Sequence, residues 1–75
     1  MDRNLYANLN QGIDSFLRVA MTLRRKEIAI KAISMTTDKY ENTGIKLTIN
    51  EDKTSLQEVI NYMNKLYDVK DLKVQ

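Results

Sequence analysis

Few side chains in this 75-residue chain could do covalent or acid–base chemistry, because it contains no His and no Cys. Imidazole catalysis, thiolate nucleophiles, disulfides and the usual zinc ligands are excluded at once. Carboxylates remain, with Glu51 beside Asp52 and with Asp68 and Asp71 near the end of the chain. None has a Gly-rich phosphate loop or a second catalytic type near it in sequence, so they read as solvated carboxylates at turns and strand ends. Small phosphatases of βαββαβ topology work with an Arg and an Asn, which nominates Arg18. That residue falls inside a helical stretch, where a solvated or salt-bridged Arg is the simpler reading. Arg24, Arg25 and Lys26 form a basic cluster that suits a helix C-terminus, with a phosphate or acidic-partner patch as the functional alternative. No catalytic residue, metal site or cofactor is assigned, and the chain is expected not to be an enzyme.

The stretch "NQGI" (residues 10–13) is more informative. Gly12 lies between a strand end and a helix start, where backbone N–H groups are left without intrahelical partners and can point at a carboxylate. A tight turn and a ligand loop are both compatible with it.

The elements that would position these residues follow from apolar periodicity. Leu5, Ala7 and Leu9 alternate with polar neighbours and predict a strand over 3–9. Ile13, Phe16, Leu17, Ala20 and Leu23 have helical spacing, and with Asp14 early and Arg24–Lys26 late they predict a helix over 13–25. "EIAIKAISMTT" predicts a strand over 27–37. One of its faces carries Ala29, Lys31, Ile33 and Met35 and is expected to lack helix cover and to be buried between subunits. "DKYENTG" is a turn-forming link, and "GIKLTIN" predicts a strand over 44–50. Thr54 with Gln57, or Ser55 with Glu58, has capping-box spacing and opens a helix over 54–66, whose stripe is Leu56, Val59, Ile60, Met63 and Leu66 or Tyr67. A last strand covers 68–74, beside the first strand at the sheet edge. The order β-α-β-β-α-β predicts an α+β fold, a ferredoxin-like βαββαβ antiparallel sheet with two helices on one face, in a single domain over 1–75.

Composition narrows the partners. Hydrophobic residues at 43% and charged residues at 29% suit a globular chain, and at this length a self-sufficient core is marginal, so a partner is expected. Twelve basic and ten acidic residues are spread along the chain, without the concentrated basic face of a nucleic-acid binder. An RNA-binding plait would stack bases on aromatics of its central strands, which offer only Tyr6. No nucleic-acid partner is expected. The start of the chain lacks a signal-like apolar core, and no run approaches the ~20 apolar residues that span a bilayer, so a cytoplasmic location without membrane attachment is expected.

The topology resembles the ACT domain, a small regulatory module that binds amino acids and pairs side by side. More narrowly, "FLRVAMTLRRKEIAIKAISM", "IKLTI" and "NKLYDVKDLKV" are similar to the small regulatory subunit of acetolactate (acetohydroxyacid) synthase in its short, single-module form. The ending matches that family at Asn64, Lys65, Leu66, Asp68, Val69 and Val74, and the likeness runs over about residues 5–75. The resemblance implies a homodimer, the catalytic large subunit of acetolactate synthase as partner, and a small amino-acid effector. It places that effector against Asn10, Gln11, Gly12 and Ile13 at the start of helix one and against Ala29 and Ile30 at the start of strand two. Valine-sensitive members carry an Asn-x-x-Gly loop and an Asn opening strand two. Here the loop is shifted in spacing and the strand position is Ala29, which implies weak or absent valine feedback. A stand-alone amino-acid sensor of the same fold is the nearest alternative, and a small RNA-binding α/β plait is the alternative from another class.

Overall fold

The computed structural model describes residues 1–40 and 42–75. Part of the link expected over 38–44, residue 41, lies outside the described residues. The elements are β1 (Asp2–Leu9), α1 (Gly12–Arg25), β2 (Ile30–Thr37), β3 (Thr43–Asn50), α2 (Leu56–Asn64) and β4 (Val69–Val74). Four strands form one sheet in the order β2-β3-β1-β4, and every neighbouring pair is antiparallel. This is the ferredoxin-like arrangement, with β4 beside β1 at one edge and β2 at the other.

Alternation builds the core. Leu5, Ala7 and Leu9 of β1 and Ile45, Leu47 and Ile49 of β3 point to one face, where Val19 and Leu23 of α1 and Val59 and Met63 of α2 meet them. Both helices therefore cover the same face of the sheet. Tyr6, Lys46 and Lys73 are in register on the opposite face, where the Lys46 ammonium lies 5.8 Å from the Tyr6 ring centroid.

The structure corrects the sequence reading in four places. Strand two begins at Ile30 instead of 27, because Glu27 adopts a left-handed conformation (φ 56°) as the chain leaves α1. Its faces also change. A β-bulge between Ile30 and Ala32 shifts the parity, so that Ile33 stands opposite Leu47 and Met35 opposite Ile45, on the helix side. Ile33 and Met35 therefore stand on the helix side of the sheet, where Ile33 is half-buried and Met35 remains 41% exposed, and Ala29 lies outside the strand.

The third correction concerns α1, whose buried residues are Ser15, Val19 and Leu23. Ile13 and Leu17, assigned to the core by spacing, are 58% and 51% exposed, and Met21 is 56% exposed. The cause is polar: the Ser15 hydroxyl is pinned beneath the helix, which brings Val19 and Leu23 inward one and two turns on and rolls the other stripe to solvent.

Helix α2 is shorter than the expected 54–66. Of its two candidate caps Ser55 is the one used, its hydroxyl accepting from the Glu58 N–H at 3.4 Å. Thr54 turns away and accepts the Ala29 N–H at 2.8 Å.

Candidate functional site

The turn from β1 into α1 is built around Gly12, whose φ of +60° is a conformation that side-chain-bearing residues rarely adopt. Gln11 is the N-cap without a side-chain cap bond. Its N–H instead donates to Ser15 Oγ (2.9 Å), which donates to Asp68 Oδ1 (2.8 Å). Arg18, one turn further along α1, donates from Nε to Asp68 Oδ2 (3.0 Å) and from Nη2 to Asp68 Oδ1 (2.8 Å) and to Gln11 Oε1 (2.7 Å). The adjoining Asn10 donates its backbone N–H to the Asp68 carbonyl and its side-chain amide to the Tyr67 carbonyl.

Asp68 is therefore the hub that holds the β1–α1 turn to the α2–β4 turn. The Arg18 guanidinium, and after it the Ser15 hydroxyl, holds its carboxyl at a pKa of about 2. Arg18 is pushed up in turn, chiefly by the Asp68 hydrogen bonds. Arg18 is thus the salt-bridged residue that its helical position suggested.

Among the expected effector residues, the structure brings Asn10, Gln11, Gly12 and Ile13 together. The side chains of Asn10 and Gln11 are engaged internally, and so is the Gln11 N–H. Gly12 and Ile13 keep their backbone N–H groups without a protein acceptor among the described residues, which is the donor pair a helix N-terminus offers to an anion. Ala29 and Ile30 lie elsewhere. The Ala29 carbonyl accepts from Asn50 N and Ile30 pairs with Ile49, whereas the β1–α1 turn adjoins the Gly44 end of β3. The two groups are separated by the length of β3, about 20 Å at a strand's rise per residue. Ala29 and Ile30 border a shallow hollow of about 340 Å³ with Lys31, Asn50 and Lys53. Sequence reasoning missed Ser15, whose one signal was a hydroxyl in phase with Val19 and Leu23, and it missed the lysines beside Ala29.

Among the described residues, no group of three or more Asp or Glu side chains could hold a metal ion, and no helix is long and apolar enough to cross a membrane.

One antiparallel four-stranded sheet with both helices on one face and a Gly turn at the head of the first helix is the ferredoxin-like α+β architecture. The ACT domain family model matches residues 13–72, well over half of the chain, and the chain belongs to that family. Modules of this family are regulatory and non-catalytic. A search of curated proteins returns no match.

Proposed function

We propose that this chain is a non-catalytic regulatory subunit of acetolactate synthase that dimerises and raises the activity of the catalytic large subunit, acting in branched-chain amino-acid biosynthesis with weak or absent valine feedback. The observation that carries the reading is the ending "NKLYDVKDLKV" on an ACT domain. Its Asp68 is the residue on which the effector-turn geometry depends.

Dimerisation is supported by the edge strand β2, one side of which pairs with β3 and the other with no strand among the described residues. Pairing β2 with its copy about a two-fold axis would run the two strands antiparallel, which sets Ile30 of one protomer beside Thr37 of the other. Thr37 pairs with Thr43, and Thr43 is the nearest side chain to Gly12. A dimer in that register would carry Ala29 and Ile30 of one protomer toward the end of the sheet where the Gly12 turn of its partner lies, which is the composite effector site proposed here.

Co-purification with the large subunit, followed by turnover of the pair, tests the proposal. The expected result is a stable complex with higher activity than the large subunit alone, and a purified pair that neither binds nor changes turnover rules it out. A stand-alone amino-acid sensor is the second reading, favoured by the free Gly12 and Ile13 N–H groups. It predicts amino-acid binding by the dimer with no effect on the enzyme.

A further inference from the structure

Between α1 and the α2–β4 turn runs a groove of about 300 Å³ that shares Arg18 and Asp68 with the hub and contains none of the expected effector residues. Its floor is Val19 and Leu66, and its walls are Met21 and Tyr67. Tyr67 is 82% exposed, although aromatic side chains are the type most rewarded by burial. Beside the groove, Met21 and Leu17 stand exposed at four-residue spacing on α1, so this helix carries apolar side chains outside its buried stripe as well as within it. Such a face is what a protein partner covers.

The charges indicate which partner. Arg18 and Arg25 line the groove and Asp68 is its one acid. The Asp68 oxygens are already taken by Arg18 and Ser15, whereas Arg25 has no ion pair among the described residues. The groove is thus apolar at its base and cationic at its rim. A second copy seated about an axis through it would bring Arg25 against Arg25, which like-charge repulsion opposes.

We propose that this groove is the docking site for the regulated enzyme subunit and receives an apolar side chain flanked by a carboxylate. The inference rests on the reading of the chain as a regulatory subunit and names the surface through which it acts. Tyr, Arg and Met are the residue types that concentrate binding energy at protein interfaces, and all three surround this groove.

The test is binding of the purified acetolactate synthase catalytic subunit to the full chain, measured by biolayer interferometry. Wild type is expected to bind, with affinity that falls as salt rises. Arg25→Glu and Tyr67→Ala are each expected to weaken binding by about tenfold or more. Lys46→Glu, an equal charge change on the opposite sheet face, is expected to leave binding unchanged. Thermal unfolding of all three variants should match wild type, since these side chains are not in the core. If wild type binds and the two groove variants bind equally well, or if Lys46→Glu weakens binding as much as Arg25→Glu, the docking site is not this groove although the regulatory reading stands. If wild type does not bind, the regulatory reading fails and this inference fails with it. A change of oligomeric state on sedimentation of Arg25→Glu or Tyr67→Ala would identify the occupant as a second copy and overturn the proposal.

Discussion

Asp68 joins parts of the chain that are 50 and 53 residues apart in sequence, and its titration should be visible in stability. Its carboxyl has a pKa of about 2 in the folded chain, against about 3.9 for an Asp in an unfolded one. The folded value is the lower, so the stabilisation is complete above about pH 4 and is lost as pH falls through about 2. Urea midpoints measured from pH 5 to pH 2 should therefore fall for wild type. In Asp68→Asn they should start lower and fall less over that window, because Arg18 and Ser15 have lost their charged acceptor. An unchanged pH profile in the variant would remove Asp68 from the hub. Gly12 makes a separate demand, on backbone conformation. A Cβ there would sit 3.7 Å from Thr43 Oγ1, an ordinary contact, so the cost of Gly12→Ala comes from its φ of +60° alone. That cost is about 1–2 kcal/mol, to be read as a lower denaturation midpoint.

At the scale of the element, α1 tests how its sequence specifies its roll. Leu17 and Leu23 both fit the helical apolar spacing, yet Leu23 is fully buried and Leu17 half exposed. Leu23→Ala should cost about 2–5 kcal/mol of unfolding free energy, and Leu17→Ala should stay within about 0.5 kcal/mol of wild type. Equal costs would restore the roll that spacing alone suggests. The contrast shows what was legible. Strands β1 and β3 and the stripe of α2 could be read because their alternation or spacing admits one solution, with Leu5, Ala7 and Leu9 on one face and Val59 and Met63 on another. Helix α1 offers two apolar stripes, and the choice between them depends on Ser15 meeting Asp68 across the fold, which no local window contains. Strand β2 misled for a similar reason. A bulge after Ile30 flips its parity, so Ile33 faces the helices although it alternates as though it shared a face with Ala29. Ile33→Asp should accordingly lower stability by placing a charge beside Leu47 in the core, with cooperative unfolding at lower denaturant. A folded monomer as stable as wild type would contradict that placement. The β1–α1 turn was legible through Gly12, but the commitment of Asn10 to the α2–β4 turn was not, since its partners Tyr67 and Asp68 are distant in sequence.

For the whole molecule, the question is whether the Gly12 turn and the start of β2, at opposite ends of one chain, act together as proposed. Gly12 and Ile13 present N–H donors without an acceptor among the described residues at the positive end of α1, suited to a carboxylate. Ala29, at the other end of the sheet, has a methyl side chain and a backbone already bonded to Thr54 and Asn50, so it offers an amino acid no polar anchor. A hydrogen bond to a charged group contributes about 1.5–3 kcal/mol, so its loss lowers affinity by about one to two powers of ten. Wild type should therefore bind valine weakly or not at all, and Ala29→Asn, which supplies a donor, should strengthen binding. Geometry adds a condition. Residues 29 and 12 of the same chain are about 20 Å apart along the sheet, too far to touch one small ligand. If the proposed dimer holds the effector, the gain in Ala29→Asn comes from the Asn of one protomer acting on the Gly12 turn of its partner. Calorimetry should then show the gain at protein concentrations where the dimer persists and its disappearance on dilution into monomer. A gain that survives dilution would place both contacts within one chain, and tight valine binding by wild type with no gain in the variant would mean that the effector is held by other residues.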